Sequence, residues 1–143
     1  MIDLNAYNNA VQWENSARKN FSFEEYRTCV YCCCLSIELY LKSQLLVIDP
    51  NSDYETSHDV LAIYQILTKT YKPTSDIRNA IRMSRKYHNE SRYPGSNYDI
   101  YDDSFALEFL AYLDAVKNYI ENDCHTSMAD LQNKFSKKGD GSK

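Results

Sequence analysis

The sequence predicts an all-α fold, an antiparallel bundle of four to five helices. Two observations carry that expectation. Apolar residues recur at steps of three and four through five separate stretches, the spacing of a buried helical stripe. The chain of 143 residues also has only three glycines, and two of them, Gly139 and Gly141, fall at its far end. Sandwiches and barrels need glycine at many tight turns, so this scarcity points to long helices and few connections. A chain of this length is expected to bury one core, with residues 1–124 forming a single helical domain. Residues 125–143 read as a polar tail with at most one short helix, carried by Met128, Leu131 and Phe135, and then disorder from Lys137.

Each helix has its own signature. The first is predicted over 5–19, with Ala6, Ala10, Trp13 and Ala17 on one face and Tyr7 and Val11 widening it. Ser22-Phe23-Glu24-Glu25 reads as a capping box that opens the second and longest helix, 23–47. Its stripe is Tyr26, Val30, Cys33, Ile37, Leu41 and Leu45, flanked by enough apolar neighbours to be covered on more than one side. Asp49-Pro50-Asn51 ends it. Thr56 or Ser57 can cap a third helix, 58–70, in which Val60, Ile63, Tyr64 and Leu67 point one way. A fourth is predicted over 75–91, with Ile77, Ile81, Ser84 and His88 aligned, and Pro94-Gly95 closes it. After a tyrosine-rich loop, a fifth runs over 103–123 on Phe105, Phe109, Tyr112, Val116 and Ile120.

Composition removes several function classes. No uninterrupted apolar run has the ~18 residues expected of a transmembrane span, and the polar start MIDLNAYNN lacks the pattern of a signal peptide. Four of the five cysteines crowd into TCVYCCC, where helical neighbours diverge by about 100° and cannot pair. Reduced thiols and a cytoplasmic location are therefore expected. No second cysteine or histidine pair completes a zinc site, so neither metal nor cofactor is expected. The formal net charge of −4 gives no general attraction to nucleic acid, but the charge is unevenly spread. Arg78, Arg82, Arg85, Lys86 and Arg92 lie together with Glu90 as the only acid among them, while Asp99, Asp102 and Asp103 gather just beyond.

Three short motifs occur in order. Glu38-Leu39-Tyr40-Leu41-Lys42 is an E-x-x-x-K helix segment, His58-Asp59-Val60 follows at a helix start, and Tyr87 to Pro94 spells Y-x-x-x-x-R-Y-P. Together they resemble the HEPN domain family over roughly residues 5–121. The resemblance implies a bundle of four or five helices, often a homodimer. It also implies association with nucleotides, with partner proteins such as minimal nucleotidyltransferases, or with metal-independent RNA cleavage. The cleaving branch resembles R-x(4–6)-H, and Arg82 and His88 enclose five residues. Met83 follows Arg82 where that branch usually carries a polar residue, and the branch with the R-Y-P turn commonly lacks the catalytic pair. The resemblance makes Glu38 a helix-packing residue.

The chemistry of such a site is a histidine base near a 2′-hydroxyl and cations on the phosphate. In a regular helix, however, Arg82 and His88 stand about 120° apart, whereas Arg85 and His88 are about 60° apart and His88 and Arg92 about 40°. Arg85, His88 and Arg92 are thus the better local constellation, with Tyr87, Tyr93 and Tyr98 near them in sequence to stack on a base or nucleotide ring. The plainer reading stands next to it. His88 continues the Ile77–Ile81 stripe and can be a packed core histidine, and the arginines can be a solvated face. Glu38 and Lys42 form an i, i+4 pair, and His58 and Asp59 suit a helix start.

The sequence reading is therefore a non-catalytic helical binding module, dimeric, taking a nucleotide, an RNA phosphate or a partner protein such as a nucleotidyltransferase. Arg85, Arg92 and Tyr93 are its expected phosphate- or nucleotide-binding residues. The alternative is a toxin-like, metal-independent endoribonuclease using His88 with Arg82, Arg85 or Arg92, with Arg82 and His88 as the expected catalytic residues. No membrane association is expected.

Overall fold

The computed structural model describes residues 6–49, 59–73, 77–92 and 98–124. Within them the apolar stripes become five α-helices: α1 (Ala6–Ser22), α2 (Tyr26–Ile48), α3 (Val60–Thr70), α4 (Arg78–Glu90) and α5 (Asp103–Asn118). A 3-10 turn, Tyr98–Ile100, precedes α5, and a π-helical turn, Tyr119–Asp123, extends it. No strand occurs among the described residues, so the all-α expectation holds. The tail 125–143, Tyr93 and Pro94-Gly95 lie outside the described residues.

Side-chain pairs show how the helices run. Phe21 meets Tyr26, Trp13 meets Tyr31 and Tyr7 meets Tyr40, so α1 and α2 are antiparallel. Arg27 donates to the Ser91 carbonyl and Tyr31 faces His88, which sets α4 antiparallel to α2. Tyr87 against Phe105 and Asn79 against Tyr112 do the same for α4 and α5. Arg18 to Asp114 and Lys117 to Glu14 close α5 onto α1.

The second helix is the axis, packed against all four others. Its length and composition would suit a membrane span, but 72% of that apolar window is buried inside the bundle. Between Cys29 and Leu46 only Tyr31, Leu35 and Leu39 are less than fully buried. These stand at i, i+4 and i+8, so α2 keeps one narrow open stripe. Cysteine and serine on its other faces are small enough to let four neighbours approach.

Three local expectations are corrected. The capping box does not form: α1 continues through Ser22, whose hydroxyl donates to the Lys19 carbonyl, and Glu25 opens α2 without a side-chain bond. The α1 end is instead a Schellman motif, with Glu25 N–H on the Asn20 carbonyl at 2.8 Å and Glu24 N–H on Phe21 at 3.0 Å. Glu24 pays for it with φ 60°, a left-handed position that usually takes glycine. The α3 cap is Asp59, whose carboxylate accepts from Leu61 N–H and Ala62 N–H; residues 56–58 lie outside the described residues. On α1 the third buried position is Glu14, not Trp13, which is 37% exposed. Steps of four, four and three from Ala6 lead to Ala10, Glu14 and Ala17. Burial is tolerated because Tyr40, Arg18 and Lys117 all donate to that carboxylate.

Candidate ligand-binding cleft

The open stripe of α2, the last two turns of α4 and the start of α3 enclose a cleft of about 500 Å³. Tyr31 and Leu35 come from α2, and Asp59 stands at the mouth of α3. Arg85, His88, Asn89 and Arg92 come from α4 and the turn after it. Their spacing of i, i+3, i+4 and i+7 places them on one helical face. Arg27 anchors that end of α4 from the side by donating to the Ser91 carbonyl at 2.5 Å. The Ser91 hydroxyl caps the Tyr87 carbonyl at 2.7 Å.

His88 is the inner wall. Its side chain is 15% exposed, and its Nδ1 stands 3.7 Å from Oε1 of Glu38. The Tyr31 ring meets it edge-on at 6.0 Å between centroids. Behind it, the other Glu38 oxygen accepts from Lys42 Nζ at 2.9 Å, with both side chains buried. The E-x-x-x-K segment is therefore a buried ion pair that packs the helix, as expected, and it also forms the floor against which the imidazole rests. A buried carboxylate kept ionised needs such a partner.

Arg85 and Arg92 are exposed and flank the histidine. Arg85 Nε lies 3.8 Å from Asp59 Oδ1, the oxygen that also caps α3. This pair is solvent-exposed on both sides, so it orients the guanidinium more than it stabilises the fold.

The structure brings Arg85, His88 and Arg92 together and leaves Arg82 apart. The α4 helix is regular through both Arg82 and His88, so the 120° offset of the sequence reading persists. Arg82 instead donates to Asn79 Oδ1 at 2.6 Å and lines a neighbouring groove between α3 and α4. Tyr93 lies outside the described residues. Sequence reasoning missed Tyr31, Leu35 and Asn89 as cleft residues and treated Asp59 only as a helix-start residue. The lone legible trace was Asn89, adjacent to His88 on the same turn. The α2 residues show no local signal, because only the packing of the neighbouring helices decides which stripe of a helix apolar on several faces stays open.

Among the described residues, no three His, Cys, Asp or Glu side chains come together to hold a metal ion. All five cysteines are buried thiols outside any disulfide.

Fold and cleft together define a small antiparallel helical bundle with a basic, half-open cleft where α4 ends. A family model for the HEPN domain matches residues 5–123, and the chain belongs to the HEPN domain family. No curated protein and no solved structure matches it.

Proposed function

We propose that this HEPN-domain chain is a binding module that holds a phosphate-bearing ligand, a nucleotide or RNA, in the α2–α4 cleft without cleaving it. The observation that carries this reading is the grouping of Arg85 and Arg92 around His88 while Arg82 faces a different groove. Guanidinium forks match phosphate oxygens. A carboxylate at Asp59 is unhelpful to bare phosphate but accepts from sugar hydroxyls, so the mixed lining suits a sugar phosphate. The same separation argues against an endoribonuclease built on the Arg82–His88 pair, which needs that base and that arginine at one scissile phosphate. The module acts as a homodimer, alone or with a partner such as a minimal nucleotidyltransferase, and the exposed apolar side chains of Trp13, Phe23, Ile100 and Leu107 favour such contacts.

The test has two arms. RNA is incubated in chelator with the protein, His88→Ala and Arg82→Ala, and no cleavage dependent on either residue is expected. Cleavage lost in both variants would establish the nuclease and overturn the binding-only reading. Thermal melting is then followed with ribonucleoside triphosphates or short RNA in excess. At a hundredfold excess over Kd, linkage raises stability by about 2.7 kcal/mol. That rise is expected to vanish in Arg92→Ala; no rise with any ligand counts against the cleft. Size exclusion at two concentrations tests the dimer.

A further inference from the structure

The second groove, about 400 Å³, lies between α3 and α4 on the other side of Arg85. Its floor is apolar: Ile81 is fully buried, Tyr64 nearly so, and Leu61 is half-buried. One wall is a row of guanidinium groups at Arg78, Arg82 and Arg85, spaced i, i+4 and i+7 along α4. The opposite rim carries the exposed amide of Gln65. Among the described residues, no acid lines it, in contrast to the first cleft with Asp59. Arg85 belongs to both.

An apolar floor under planar cations fits a flat, electron-rich ring. Guanidinium groups stack on such rings, the floor removes the opposite face from water, and a side-chain amide can both donate to and accept from a ring edge. A second polar anion would gain nothing from Ile81 and Leu61. The bond from Arg82 to Asn79 holds one guanidinium in place before any ligand arrives.

We infer that the α3–α4 groove is the base-binding half of a bipartite nucleotide site, with the phosphates in the His88 cleft and Arg85 at the junction. This deepens the proposed function and rests on it. It narrows the ligand to one carrying a heteroaromatic ring within one side chain's reach of its phosphate, rather than a bare phosphodiester backbone.

Calorimetric titrations at fixed salt separate the two claims. Tripolyphosphate and each of the four ribonucleoside triphosphates are titrated into the full-length protein, Arg92→Ala, Leu61→Asp and Arg82→Ala. At least one nucleoside triphosphate is expected to bind about tenfold or more tighter than tripolyphosphate, the scale of one base stacked on a protein surface. Leu61→Asp should reduce that nucleotide to the tripolyphosphate level while leaving tripolyphosphate unchanged. Arg82→Ala, at an exposed position and so safe for folding, should weaken the nucleotide selectively by several-fold. Arg92→Ala should weaken both classes. Equal affinity for nucleotides and tripolyphosphate, or a nucleotide affinity indifferent to both groove variants, overturns the base subsite and leaves the phosphate reading standing. Failure of every ligand to bind overturns both. A Leu61→Asp protein that changes oligomeric state with nucleotide affinity intact makes the groove a protein interface and also overturns it.

Discussion

Replacing Lys42 with Met keeps the length of the side chain and removes its charge. In the native bundle the Lys42 Nζ sits 2.9 Å from Glu38 Oε2, with the two side chains 8% and 4% exposed. Water cannot take over as partner at that depth. Loss of one member of a buried pair costs about 3–5 kcal/mol, because the remaining charge stays desolvated with its closest opposite charge gone. A domain of this kind is stable by only about 5–15 kcal/mol, so the variant should lose a large share of the total. At roughly 3 °C per kcal/mol the melting point should fall by about 10 °C or more. The double variant Glu38→Gln, Lys42→Met removes both charges and should recover most of the loss, giving a coupling energy above about 2 kcal/mol. Urea unfolding followed by far-ultraviolet circular dichroism measures all four corners of the cycle. A Lys42→Met protein within about 1 kcal/mol of the parent, or a double variant less stable than the single one, would refute the claim that this pair is sealed from solvent.

Three further outcomes are expected. Burial pushes the Glu14 carboxyl up, but hydrogen bonds from Tyr40, Lys117 and Arg18 together outweigh it and hold the group below its ordinary range. A depressed folded-state value means its stability is present above the unfolded-state pKa and lost as pH falls through the folded one. Glu14→Gln should therefore cost about 1–3 kcal/mol at neutral pH and progressively less in acid, read from urea midpoints across pH. Glu24→Gly relieves the left-handed backbone at the end of α1 and should stabilise by about 0.5–1 kcal/mol, a gain that a Glu24→Ala control should not share. Burial pushes the thiol of Cys32 to about 11 and that of Cys34 to about 12. Hydrogen bonding with Cys33 lowers the Cys29 thiol instead, but every cysteine side chain is buried, so all five should resist alkylation at mildly alkaline pH in the native state and label in denaturant, counted by mass spectrometry.

The helix stripes were legible where a single face is buried. Val60, Ile63, Tyr64 and Leu67 on α3 are the clearest case, and each is buried as the spacing predicts. Periodicity faltered on α1, where a tryptophan and a glutamate compete for one position. Hydrophobicity favours Trp13, but the alanine face sets the angle, and Glu14 is accepted because three donors from three helices await it. No local pattern announces partners 26 and 103 residues away. The cap of α2 was misread because the chain closes α1 with backbone bonds through Glu24, where sequence rules look for glycine. In the candidate site, the angle between Arg85, His88 and Arg92 could be worked out from helix geometry alone, as could the divergence of Arg82. Tyr31, Leu35 and Asp59 could not, since they reach the cleft from other helices and only tertiary packing makes them neighbours.

His88 has a direct reporter. The chain has three histidines, His58, His88 and His125, whose ring resonances can be followed by nuclear magnetic resonance during titration with the best-binding nucleotide. Saturable movement of the His88 signals, abolished by Arg92→Ala, is the expected result. A nucleotide that binds while His88 stays still would move the ligand elsewhere on the protein and contradict the cleft as its site.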